Sequence, residues 1–336
     1  MNSLDSSAPG KLILSGEYAV LCGAPAISIA LDRRAEVKII ERNDSTHMVS
    51  TSGYYHGNWR YHCDENGNIK WLDELPFENF FALFECIWKR LSFNPRAGLH
   101  ITLDTNQFFE KISGFKYGLG SSAALAVALS GALLSLKKSS TSVVSLAHES
   151  HNSFQHGAGS GADIITAEQG GVIEFRDMNK FFNLEWPTGL LYKLIWSGKE
   201  SNTIDKLHKF LRKEKHKSFN HLKNASQQVL NFWKRNDLVS LLNMLNIYVD
   251  ALQDFNSHYK IGVFDSGHQE LTDMTKNIEN IIYKPCGAGG GDIGIVLSNS
   301  IERIDNFVKK AEKLGFISLN ALIDPQGLFL RGNDND

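Results

Sequence analysis

The order of apolar and polar positions divides the chain into short strands interleaved with helices. Residues 11–15 (KLILS) and 26–31 (AISIAL) are apolar runs separated by a Gly-containing turn, as two strands would be, and 34–41 alternates polar with apolar residues like a half-buried strand. Residues 53–70 mix Gly, Asn and His with scattered aromatics and read as a hairpin or an irregular excursion. Large apolar residues at helical spacing predict a helix over 77–91, and 100–103 reads as another strand. The clearest helix is 121–137, rich in Ala and Leu, free of proline, opened by Ser121 and Ser122 and closed by lysines. A second helix over 143–154 ends at the glycines of 157–161. Strands are expected at 172–175 and 191–196. From 203 to about 255 the pattern stays helical, and 270–281 reads as a further helix. A Gly-rich loop, a strand at 293–297, a helix at 301–314 and a strand near 327–330 complete the chain.

A chain of 336 residues exceeds what one core usually holds, so two domains are expected, 1–187 and 188–336, divided near Pro187–Leu190 where strands give way to long helices. Strands and helices intermixed in two blocks make the fold class α+β. The formal charge of -2 offers no cationic excess for a nucleic-acid backbone, although a small anion needs only a few local cations. The first residues lack a basic stretch followed by an apolar run. The longest apolar stretch, 123–136, is interrupted by Ser130 and Gly131 and is too short to span a bilayer. Cys22, Cys63, Cys86 and Cys286 are scattered with no CxxC pair, as reduced thiols would be. A cytoplasmic protein with no membrane partner is the expectation.

Three glycine-rich segments carry the candidate chemistry. In Ala8-Pro9-Gly10-Lys11-Leu12-Ile13-Leu14-Ser15-Gly16-Glu17-Tyr18, a Pro-Gly turn sets Lys11 at the head of a strand and Glu17 at its far side. Taken alone, those residues fit a surface hairpin equally well. In Lys116-Tyr117-Gly118-Leu119-Gly120-Ser121-Ser122-Ala123, two glycines and two serines lead into the best helix of the chain. Unpaired N–H groups and the positive dipole end of a first helical turn bind phosphate, and glycines let it approach the backbone. An ordinary Ser cap after a turn is the plainer alternative. The segment is not a Walker A motif, since no Gly-Lys-Ser/Thr closes it. In the third segment, Lys284-Pro285-Cys286-Gly287-Ala288-Gly289-Gly290-Gly291-Asp292, the loop runs straight into a buried-type strand, which favours a close-fitting wrap over a loose linker.

Together, in this order and spacing, the three segments resemble the motifs of the GHMP kinases over essentially the whole chain. The resemblance implies a two-domain α+β fold: an N-terminal mixed α/β nucleotide-binding domain and a C-terminal ferredoxin-like domain, with ATP and its acceptor meeting in the cleft. Tyr18, the Lys116-Tyr117 lead-in, the segment Trp196-Ser197-Gly198-Lys199 and the run from Lys284 to Asp292 resemble the phosphomevalonate kinase branch more than the mevalonate kinase branch. A fourth segment, Gly157-Ala158-Gly159-Ser160-Gly161-Ala162-Asp163, then gains meaning. Read by itself, Asp163 is a helix N-cap; the resemblance implies a catalytic role for it beside Lys11. It also implies ATP contacts from Lys116, Gly118, Leu119, Gly120, Ser121, Ser122 and Ala123. Acceptor contacts are expected from Glu17, Tyr18, Ser160, Gly161, Ser197, Lys199, Lys284, Gly287, Ala288 and Gly289. ATP and Mg²⁺ are the expected cofactors, with Ser122 a metal ligand. Asn152 stands where many mevalonate kinases carry a metal-binding glutamate, so Glu149, one helical turn earlier, is the expected substitute. His148, His151 and His156 flank Glu149 without an HExxH pattern and are expected in polar or capping roles. The basic stretch 206–217 reads as a solvated helix face. A small anionic acid is the expected acceptor, and a monomer or a homodimer the expected assembly.

Overall fold

The computed structural model describes residues 3–64, 66–95, 97–157, 159–201 and 203–333. From the N-terminus, β1 (Ser3–Ser15) and β2 (Ala26–Glu41) form a long antiparallel pair, and β3 (His47–Ser52), β4 (Gly57–Cys63) and β5 (Ile69–Trp71) extend the sheet. The helix α1 (Ala82–Leu91) leads into β6 (Leu99–Asp104). Helices α2 (Ser121–Lys137), α3 (Val143–Phe154) and α4 (Ala162–Gln169) follow, then the hairpin β7 (Val172–Asp177) and β8 (Lys180–Leu184). Next come β9 (Leu191–Trp196), α5 (Thr203–Leu211), α6 (Lys217–Arg235), α7 (Leu238–Tyr259) and α8 (His268–Asp273). The chain closes with β10 (Ile281–Pro285), β11 (Ile293–Ser298), α9 (Ile301–Lys313), β12 (Ile317–Leu319) and β13 (Phe329–Asn333).

The larger sheet runs β13-β1-β2-β6-β3-β4-β5, with β7 branching from β2 and β8 from β7. The last strand therefore crosses back to pair with the first, Ser3 opposite Asn333. The smaller sheet runs β10-β11-β9-β12, all antiparallel, with α9 connecting β11 to β12. Strand, helices, two strands, helix, strand in this order is the ferredoxin-like arrangement. One core cluster joins the two sheets, with Leu12, Leu14 and Tyr18 on one side and Trp196, Phe255 and Ile293 on the other. A second packs α1 and α2 on the larger sheet through Phe84, Trp88, Val127 and Leu129. Among the described residues, no helix is long and apolar enough to cross a membrane.

Several elements differ from the sequence expectation. Residues 26–31 and 34–41 are one continuous strand, β2. Pro9-Gly10 is not a turn but a register shift inside β1, which begins at Ser3. Glycine is required there because a Cβ on Gly10 would lie 2.7 Å from the Leu119 carbonyl oxygen. The helix expected over 270–281 stops at Asp273, and Ile281–Pro285 is a strand buried along its whole length. A strand covered on both faces has no period-2 signature to separate it from a preceding helical pattern. The helical stretch after 203 is three helices, the first two separated by 212–216.

Candidate active site

The first turn of α2 opens onto a cavity of about 750 Å³. Its N-cap is Gly120, in the left-handed region at φ 77, with no side chain closing the helix end. The first-turn N–H groups thus lack an intrahelical partner and carry the positive end of the helix dipole. Gly118, Leu119, Gly120, Ser121 and Ser122 line the cavity, whereas Ala123 is fully buried behind them. The loop is held on two sides. The Lys11 N–H donates to the Leu119 carbonyl at 2.8 Å. Gly118, at φ 81, sits so close to Asp292 that a Cβ would lie 2.4 Å from the Asp292 Cβ.

Lys11 and Asp163 both line this cavity, as does Lys116. Lys11 points along Gly120, where a Cβ would come within 3.0 Å of its Cε. Asp163 lies in the first turn of α4, whose N-cap is Gly161, so the capping role suggested by the sequence is not the one it fills. Its Oδ1 accepts from the Ile164 N–H at 3.0 Å and its other oxygen lies 3.8 Å from His151 Nδ1. His151 is buried on α3, with Nε2 3.0 Å from Ser122 Oγ. Burial holds its pKa below the ordinary histidine range despite the pull of Asp163. Ser160 lines the cavity; Gly161 is buried beneath it. Glu149 does not take the place expected for a metal ligand. It is exposed on α3 and pairs with Arg90 at 3.0 Å, because residues 149 and 151 fall on different faces of the helix. Asn152 is half-buried and does not line the cavity.

The expected acceptor residues divide into two groups. Tyr18, Gly287 and Ala288 line the cavity, and the Tyr18 hydroxyl donates to the Ala288 carbonyl at 2.7 Å, joining the first and third glycine-rich segments. Glu17 reaches the cavity wall, but its carboxylate is committed behind it: Lys284 Nζ and the Tyr248 hydroxyl both donate to it. Lys284 is completely buried in β10 and does not line this cavity, so the expectation of a substrate-binding cation there is not met. Gly289 is buried and accepts from Ser201 and Lys206. Ser197 and Lys199 lie off the cavity; the Lys199 N–H donates to Ser197 Oγ and its side chain is exposed. Lys206 itself leaves the predicted solvated face, donating to the carbonyls of Gly262 and Gly289.

Asp292, absent from the residues singled out by sequence, is a prominent part of the cavity wall. It lies against Gly118, and its Oδ1 accepts from the Ser201 N–H at 3.2 Å. The signal was available: it closes the third glycine-rich segment. Burial pushes its carboxyl up to about 6, against the opposing pull of Lys116. Between the ordinary value of 3.8 and about 6 the folded protein therefore holds a proton that the unfolded chain has lost, so stability falls as pH rises through that window. Asp292→Asn keeps an acceptor for Ser201 and removes the charge. It is expected to abolish that fall and to leave the protein more stable at pH 7 by about 3 kcal/mol. Urea unfolding of both proteins at pH 4.5 and 7 checks this, and parallel pH dependences would contradict it.

A smaller hollow of about 440 Å³ over β1, β2 and β6 presents Asp5, Glu36 and Asp104 against Lys38, the wrong sign for a polyphosphate. A helix end with no side-chain cap, flanked by Lys11 and Lys116 in one cavity of an α+β protein, is suited to an anionic group such as phosphate. Residues 82–171 match the family described as GHMP kinases N terminal domain. Over 89% of this chain and 91% of its own, a phosphomevalonate kinase from Saccharolobus solfataricus is 25% identical. A mevalonate kinase from Pyrococcus horikoshii is 30% identical over 51% of this chain and 50% of its own. Among solved structures, Streptococcus pneumoniae phosphomevalonate kinase in complex with phosphomevalonate and AMPPNP superimposes with a TM-score of 0.75 at 16% identity, covering 95% of this chain and 99% of that one. Residues 82–171 thus carry a GHMP kinase N-terminal domain, and over most of its length the chain is similar to kinases named phosphomevalonate kinase.

Proposed function

We propose that the protein transfers the γ-phosphoryl group of ATP to phosphomevalonate, giving diphosphomevalonate and ADP. The observation that carries this reading is one cavity walled by the open end of α2, Lys11 and Asp163. In the transfer, the bond from the γ-phosphorus to the β,γ-bridging oxygen breaks and one to an acceptor phosphate oxygen forms. Such a reaction needs alignment and charge neutralisation more than covalent help. The α2 amides hold the nucleotide phosphates, and Lys11 offsets charge on the transferred group. A phosphomonoester with its second pKa near 6 is already mostly ionised at neutral pH, so Asp163 orients Lys11 rather than abstracting a proton.

The residues present fit a Mg²⁺ carried in with the nucleotide. Ser122 and Asp163 offer oxygens on the cavity wall. Among the described residues, no group of three or more His, Cys, Asp or Glu is placed to hold a metal. Bound with ATP, Mg²⁺ would neutralise charge between the β- and γ-phosphates.

Support for the acceptor comes from relatives named phosphomevalonate kinase at 25% identity over most of the chain, from S. solfataricus and a Streptomyces species. A second reading, mevalonate as acceptor, is favoured by one observation: Lys284 is committed to Glu17, leaving Lys11 and Lys116 as lysines on the cavity wall. A coupled ADP-release assay with each acid decides between them. Turnover with phosphomevalonate and none with mevalonate is the expected result; the reverse would replace the first reading by the second.

A further inference from the structure

The buried His151 of α3 connects Ser122 and Asp163, and its surroundings dictate where its proton sits. A neutral imidazole carries one N–H and one lone pair. The Asp163 carboxyl oxygen lies 3.8 Å from Nδ1 and presents an acceptor to it, which favours the hydrogen on Nδ1. Lys11 and His148 also act on this ring, through their charge alone. Nε2 is then the acceptor, and the Ser122 hydroxyl at 3.0 Å must donate to it. With its hydrogen committed inward, the Ser122 oxygen turns lone pairs to the cavity.

We infer that His151 is a positioning residue that fixes Ser122 as an oxygen donor toward the nucleotide's cation, instead of a hydrogen-bond donor to a phosphate oxygen. The inference rests on the kinase reading of this cavity and assigns the direction of one hydrogen within it. It also explains how the site manages with Glu149 turned away to Arg90: the inward position on α3 is filled by a group that directs a ligand without being one.

The tautomer is directly observable. A long-range ¹H–¹⁵N correlation spectrum of the nucleotide-free protein at neutral pH, assigned with His151→Gln, is expected to show His151 protonated on Nδ1; a proton on Nε2 would overturn the inference. Kinetics give a second readout. His151→Phe fills the space without an acceptor. It is expected to lower kcat about tenfold to a hundredfold while the KM for ATP stays within about threefold. His151→Gln, whose amide oxygen reaches the Nε2 position, should recover about tenfold of that loss. A glutamine variant no better than phenylalanine contradicts the assignment. Should circular dichroism show the phenylalanine variant unfolded, the wild-type tautomer decides alone. A wild-type protein inactive on both acids would defeat the kinase reading while leaving the tautomer result standing.

Discussion

Lys11→Met is expected to lower kcat by about 10²–10³-fold with little change in the KM for ATP, the signature of a group that acts on the transferred phosphoryl more than on the resting nucleotide. The geometry makes this a clean substitution. The Lys11 backbone is fixed in β1 by its N–H bond to Leu119, and its aliphatic stem lies along Gly120. Methionine preserves that stem and removes only the ammonium group. On the proposed reading the α2 amides still hold the nucleotide phosphates, so ground-state binding is expected to survive. Lys11→Arg should not restore the wild-type rate, because a planar guanidinium cannot occupy the place of a compact ammonium against the Gly118–Ser122 loop. Initial rates across ATP concentrations at saturating acceptor measure both parameters. A kcat within about threefold of wild type, with the variant folded, would remove Lys11 from the chemistry.

The parts of this site that sequence revealed are those where the backbone itself does the work. Gly118, Gly120 and the serines after them are visible because an open helix end on a cavity needs small residues in that order. Lys11 is visible through its segment, and its strand position depends on Gly10 and Leu119 meeting across the fold. Side-chain partnerships are a different matter. His151 and Glu149 are two residues apart, and only the rotation of α3 decides that the first meets Ser122 while the second meets Arg90. Lys284, expected among the acceptor contacts at the head of the third glycine-rich segment, sits in a strand, and its counter-ion lies 267 positions away. No local pattern encodes such a pairing. The small sheet shows the same limit: β9 and β11 were legible as strands, whereas β10 and β12 were not.

That long-range pair carries the largest stability effect expected of a single substitution here. Glu17, Lys284 and Tyr248 form a closed group: lysine and tyrosine both donate to the carboxylate, and the Gly16 N–H donates to the tyrosine oxygen at 2.9 Å. Both charged side chains have no exposure. Cys286 lies 3.8 Å from Lys284 Nζ, but burial pushes its thiol up to about 12, so it stays neutral and cannot serve as a substitute counter-ion. Lys284→Met therefore strands a buried carboxylate, and Glu17→Gln a buried ammonium. Each is expected to cost about 3–5 kcal/mol, far more than breaking an exposed pair such as Arg42–Asp44. The double variant Glu17→Gln, Lys284→Met removes both charges at once and should regain much of the loss, since a neutral group in their place carries little desolvation penalty. Urea unfolding of the four proteins measures the cycle. Because the pair joins the loop after β1 to β10, beside the Tyr18–Ala288 contact, the single variants should also raise the KM for the acceptor. Additive losses in the double variant, or a Lys284→Met protein within about 1 kcal/mol of wild type, would show that the two charges are not coupled in the folded state.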